Sequence, residues 1–154
     1  MNETMGNQQE TVEEICWLAG AFDADGTITL RPNATLETRQ PSPYLDLSNT
    51  DDAFIDKTIS IMNSIGVNPH ITEQKLNKKW KKVYRVRLHK RDHIKKVLER
   101  MLPYLTAKKH RASLVLRYID NGDRRLVANV QLLNKRGVTD SSETICETPN
   151  EVKI

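Results

Sequence analysis

Two cysteines, at positions 16 and 146, are all that this chain of 154 residues contains, and neither has a CxxC partner or a companion histidine. A zinc site of ordinary spacing and a disulfide framework are both excluded, which fits a reducing intracellular compartment, cytoplasmic or organellar. Long apolar runs are missing too. The longest, around residues 15–22, falls far short of the about 20 residues that span a bilayer, so no membrane partner is expected. The N-terminal stretch carries Glu3, Glu10, Glu13 and Glu14 and no base, so a secretory leader is not expected. The four histidines show neither HExxH spacing nor a nuclease-type His/Asn constellation.

What is present points to a globular, soluble protein. Hydrophobic residues make up 38% of the chain and recur at regular spacing, enough for one compact domain with its own core. The net charge is only +4, but it is unevenly spread. Residues 75–100 hold twelve Lys/Arg against Asp92 and Glu99, which leaves +10 in this window and −6 elsewhere. Such an excess predicts a polyanionic partner, nucleic acid before a membrane surface.

Periodicity predicts a first helix over 10–24, with Ile15, Leu18, Ala19 and Phe22 on one face. After Gly26 the period switches to two. Ile28 and Leu30 face inward, and Thr27, Thr29, Arg31 and Asn33 face outward. A second strand alternates Leu45 and Leu47 against Tyr44, Asp46 and Ser48. A helix follows from about 50, with Asp51 and Asp52 in its first turn, and stops at Gly66. Residues 70–75 and 80–89 read as a second strand pair turning at Asn77, with Tyr84, Val86 and Leu88 opposite Arg85, Arg87 and His89. Further helices are expected over 91–102, over 106–120 with Thr106 as cap, and over 123–136. The order is αββαββα, an α+β fold with a four-stranded antiparallel sheet and helices on its core side. The boundaries drawn are 10–122 for the domain and 123–154 for a final helix and acidic tail.

The most specific stretch is residues 18–26, Leu-Ala-Gly-Ala-Phe-Asp-Ala-Asp-Gly, which ends the first helix. Asp23 and Asp25 sit at its negative end, where an uncompensated carboxylate costs about 0.3–1 kcal/mol, so something positive is expected there. A hard divalent cation held by oxygens would reverse that sign. A plain Asp-Gly helix-end turn is the alternative. Cys16, Gly20 and Ala24 add small residues at four-residue spacing, which permits close helix–helix approach or tight packing within one domain. The four bases Lys108, Lys109, His110 and Arg111 crowd the positive start of a later helix, a placement that nearby phosphates or simple exposure would explain.

The nonamer resembles the signature of the LAGLIDADG homing endonucleases, departing from the family name at Ala21 and Phe22. The segment 103–117, Pro-Tyr-Leu-Thr-Ala-Lys-Lys-His-Arg-Ala-Ser-Leu-Val-Leu-Arg, is similar to the family as well. The resemblance covers most of 12–120, and it implies a saddle-shaped sheet seated on double-stranded DNA. It implies Asp25 as the catalytic, metal-binding acid, with the Ala24 carbonyl as a second ligand and Asp23 as a structural acid. Lys108 is implied at the periphery of the active site, and Asn49 (or Thr50, if the alignment slips by one) as the residue orienting solvent. Asn49 capping the next helix is the alternative.

With one motif per chain, the resemblance implies a C2 homodimer with Cys16, Ala19, Gly20, Asp23 and Ala24 at the helix interface. The implied cofactor is Mg²⁺ or another divalent cation such as Mn²⁺, with Ca²⁺ binding but not supporting turnover. The implied reaction is hydrolysis of both strands of a long near-palindromic site of about 20 bp, leaving 3′ overhangs. The polar sheet face supplies donors and acceptors suited to base edges: Thr29, Arg31, Asn33, Tyr44, Asp46, Ser48, Thr72, Gln74, Arg85 and Arg87. His70 and His89 share that face, where DNA contact and solvation are alternatives. Trp80, among Lys78, Lys79, Lys81 and Lys82, marks either a phosphate-gripping hairpin or a solvated turn. Two rival readings keep the fold: an RNA maturase acting on intron RNA, and a DNA-binding module without catalysis.

Overall fold

The computed structural model describes residues 10–31, 40–74, 79 and 81–135. Asn33, the Asn77 turn, Lys78, Trp80 and the tail 136–154 lie outside the described residues.

Helix α1 (Val12–Asp25) starts on a capping box. The Thr11 hydroxyl accepts from the Glu14 amide at 3.1 Å, and the Glu14 carboxylate accepts from the Thr11 amide at 2.9 Å. Ile15, Leu18, Ala19 and Phe22 are all buried, and full burial of a Leu or Phe contributes about 1.5–3 kcal/mol. The chain passes from α1 into β1 (Gly26–Arg31) with no intervening loop. A Cβ at Gly26 would lie 2.3 Å from the Phe22 ring and 2.8 Å from Phe22 Cα, so only glycine permits so abrupt a junction.

Strand β1 pairs with β2 (Ser42–Asn49), Gly26 standing opposite Leu47 and Arg31 opposite Ser42. Helix α2 (Asp52–Ile65) is capped by Asp51, whose carboxylate accepts from the Ala53 and Phe54 amides, and it stops at Gly66 with φ 93°. A second hairpin, β3 (His70–Gln74) with β4 (Val83–Leu88), leads to α3 (Arg91–Met101). One 3₁₀ turn (Leu102–Tyr104), α4 (Lys109–Asn121) and α5 (Arg125–Leu133) follow, the last elements among the described residues.

The strands form one antiparallel sheet in the order β1-β2-β4-β3. Ile28, Leu30, Leu45, Leu47, Val86 and Leu88 line the face covered by helices, as the alternation predicts. The opposite face carries the polar residues. No helix among the described residues is long and apolar enough to cross a membrane.

The expected element order is observed, with three differences. Helix α1 runs one residue further than expected, so Asp25 belongs to its last turn. Helix α4 begins at Lys109 instead of 106, because Pro103 draws 102–104 into a 3₁₀ turn, and Thr106 does not cap it. Helix α5 packs Leu126, Val127, Val130 and Leu133 into the same core as α1 and the sheet, across the boundary drawn at 122.

Gly26→Ala is expected to cost about 1–3 kcal/mol through overpacking against Phe22. The midpoint of urea unfolding should fall at constant slope. An unchanged midpoint would mean that the helix–strand junction relaxes freely.

Candidate active site

The last turn of α1 contains no basic residue, yet it carries Asp23 and Asp25. Its compensation comes from across the fold. Lys108 Nζ donates to the carbonyl of Phe22 at 2.7 Å and to that of Gly26, on either side of Asp25. The exchange is reciprocal. The Asp23 carboxylate accepts from the Thr106 amide at 2.8 Å and from the Lys108 amide at 2.9 Å, at the positive start of α4. Each helix end thus carries the other's counter-charge. Lys108 supplies a positive group beside the acids, and Asp23 a negative one at the start of α4.

Asp25 remains. It is exposed, and no hydrogen bond or ion pair among the described residues engages it. The helical ladder ends with the Gly26 amide donating to the Phe22 carbonyl, so the carbonyl of Ala24 lies beyond it. A carboxylate and a backbone carbonyl are hard oxygen donors suited to Mg²⁺ or Ca²⁺, which take six or more oxygens, so one chain offers only part of a coordination shell. Among the described residues there is no group of three or more His, Cys, Asp or Glu able to hold a metal alone. Asn49 lies at the same end of the sheet, two residues past the Gly26–Leu47 pair. Its Oδ1 accepts from the Asp51 amide at 2.8 Å, so it shapes the turn into α2, and Thr50 is exposed.

Cys16, Gly20 and Ala24 are exposed along one line of α1, and nothing lies within 4 Å of where a Gly20 Cβ would be. Ala19 departs from the expected interface set. It is 0% exposed in the chain's own core and offers no surface to a second copy.

On the polar face, register brings Thr29 opposite Tyr44, Asp46 opposite Arg87, Ser48 opposite Arg85, and then His70 and Thr72 opposite Arg87 and Arg85. Gln74, at the end of β3, is exposed. Tyr44 and Asp46 hold the expected face, but they are 3% and 7% exposed rather than open. Long side chains lie over them. The Arg31 guanidinium stacks 3.6 Å above the Tyr44 ring, the His89 ring is 5.3 Å from it, and Arg85 Nη2 is 3.3 Å from Asp46 Oδ2. Burial holds the His89 imidazole below the ordinary histidine value; His70, Arg31 and Arg87 push the same way, and Asp46 opposes them.

The sequence gives no sign of several ties. Arg111, counted among the bases of an exposed turn, is 8% exposed and donates to Asn134 Oδ1 at 2.8 Å. Asn134 Nδ2 donates in turn to the Ile28 carbonyl at 3.1 Å, which ties α5 to β1. The hydroxyl of buried Tyr118 donates to the Pro41 carbonyl at 2.7 Å. Each joins distant segments, and no local spacing encodes it.

Compared with known families, residues 13–101 match the LAGLIDADG-like domain. Among solved structures, the chain resembles the homing endonuclease I-CvuI in complex with its target in the presence of Ca, at 26% identity and TM-score 0.62, over 83% of this chain and 87% of that one. A second structure of I-CvuI, with DNA that is not cleaved in the presence of Mg, matches at 25% identity and TM-score 0.58, over 83% and 88%. An archaeal intron-encoded homing endonuclease complexed with DNA shares the fold at 12% identity and TM-score 0.61, over 81% and 86%. No curated protein sequence matches the chain.

Asp23→Ala and Lys108→Met are each expected to cost about 1–2 kcal/mol of stability, and the double variant less than their sum. Additive losses in denaturant unfolding would show that the two helix ends are independent. For His89, the folded chain binds fewer protons than the unfolded one near the histidine pKa of about 6.5. Its contribution to stability is therefore present above that value and lost as pH falls through the lowered folded pKa. An NMR titration should place His89 below the free-histidine midpoint, and His70→Gln should raise it; a midpoint at or above the free value would contradict this environment.

Proposed function

The chain belongs to the LAGLIDADG-like domain family and has the fold of the homing endonucleases; from that premise we propose that it is a site-specific, divalent-metal-dependent homing endonuclease. Its substrate is double-stranded DNA carrying a long near-palindromic site, cut on both strands to leave 3′ overhangs. The observation that carries this reading is Asp25, an exposed carboxylate with no partner among the described residues, at a helix end where the neighbouring acid, Asp23, is already engaged.

Two copies meet along the exposed line of Cys16, Gly20 and Ala24, with the α1 helices on a two-fold axis. Each copy brings Asp25 and the Ala24 carbonyl to the axis, and the pair together offers the oxygen ligands that one chain lacks. A divalent cation held there, Mg²⁺ in the first instance, supplies an activated water and stabilises the leaving 3′-oxygen. Lys108 holds the backbone on both sides of Asp25 and so keeps the two donors in place. Asn49 contributes at the same end of the sheet through the turn it shapes. The polar face of each copy lies in the major groove, with Arg31, Arg85 and Arg87 among the groups that meet the bases and backbone. The domain spans 10–122 with α5 packed on it.

The test is cleavage of a randomised duplex library with Mg²⁺. The unmodified protein should yield a near-palindromic site of about 20 bp, the span of two major-groove segments. Asp25→Asn should reduce cleavage by several orders of magnitude while DNA affinity stays within a few-fold. Turnover that survives in Asp25→Asn would remove Asp25 from the mechanism. Binding to duplex or intron RNA without any metal-dependent cut would move the protein to the binding-module or maturase class.

A further inference from the structure

On a surface that meets a polyanion, an acid must either read a base or be neutralised. Asp46 stands at the middle of the polar face, directly opposite Arg87, with Arg85 at the next same-face position of β4. It is 7% exposed. Its Oδ2 lies 3.3 Å from Arg85 Nη2, and Arg85 Nε donates to Ser48 Oγ at 3.3 Å. Two contacts along one edge fix the plane of the Arg85 guanidinium. Two further polar atoms here are buried and have no hydrogen-bond partner among the described residues: Asp46 Oδ1 and Arg87 Nε. One is an acceptor and the other a donor, on residues that face each other across the ladder. Buried orphans of this kind are uncommon and call for a partner.

We propose that Asp46 is a positioning residue for both arginines and does not itself read a base. Its Oδ2 already holds Arg85. Its Oδ1 receives Arg87 Nε–H when a duplex docks, and the two guanidinium groups then share one carboxylate behind them. The ligand this selects is guanine in the major groove, because an arginine held at Nε keeps its terminal N–H donors coplanar for O6 and N7. The arrangement also removes the repulsion that an open carboxylate would exert on phosphates. This inference rests on the proposed DNA-facing role of the sheet.

The test uses the full chain and a randomised duplex library, with base preference read by sequencing the bound fraction. Asp46→Asn, Arg85→Ala and Arg87→Lys are compared, each checked for folding by thermal unfolding. Asp46→Asn should weaken guanine preference about tenfold at the same base pairs affected by the two arginine variants. Binding to unrelated duplex should hold or tighten, since a negative charge is gone. A purely structural role would weaken all duplexes alike, which overturns the proposal. So does a changed preference at a base pair that neither arginine variant touches, because Asp46 would then be a reader. If Asp46→Asn does not fold, Arg87→Lys decides: it keeps the charge and loses Nε, so retained guanine preference overturns the proposal and lost preference supports it. An unmodified protein that enriches no sequence overturns the DNA-facing reading itself, and this inference with it.

Discussion

Two helix ends of opposite polarity, each bearing side chains of the wrong sign, are brought together so that each corrects the other. Asp23 from the end of α1 receives amides at the start of α4, and Lys108 from the start of α4 reaches carbonyls at the end of α1. The contact closes more than eighty residues of chain and joins the first helix to the fourth. It also sorts the acids. Asp23 is used internally, so Asp25 is the one left facing outward. The proposed chemistry depends on that division, because a metal-binding carboxylate must be held firmly yet be free of other partners.

The sheet shows a similar economy. Its helix-facing side is filled by Ile28, Leu30, Leu45, Leu47, Val86 and Leu88, which leaves the opposite side free of any duty to the core. That side is not a uniform row of open donors. Arg31 stacks over Tyr44 and Arg85 pairs with Asp46, so long guanidinium side chains cover part of this face with strand residues beneath as support. Charge on the surface and order beneath it have one cause, the length of arginine.

Much of this was legible in the sequence, and the reasons are local. The 3.6-residue period of Ile15, Leu18 and Phe22 and the two-residue period of Leu45 and Leu47 report which side of an element is wet. Gly66 and Gly122 mark helix ends because a left-handed residue is needed there. Local rules failed where a distant group had taken over. Thr106 is the residue a local rule selects to cap α4, but the capping oxygens come from Asp23, far away in the chain. Ala19 fits a stripe of small residues as well as it fits the core, and periodicity alone cannot separate the two. Strand alternation gave Asp46 its correct face but not its depth, which is set by Arg85 lying over it. Arg111 reads as a surface base only until Asn134, from a helix with no visible motif, is placed beside it.

The strand order has a kinetic side. β1–β2 and β3–β4 are hairpins between neighbours in sequence, whereas the β2–β4 seam joins Asn49 to Tyr84 across the whole of α2 and β3. Each ββα half can therefore organise its own hairpin early, with little chain entropy lost per contact. The seam forms only when both are in hand, and it is the pairing that makes Asp46 and Arg87 neighbours. Assembly of the proposed recognition surface is thus coupled to the sheet's longest-range pairing, and a chain arrested before that step would carry the helical motif without the surface proposed to direct it.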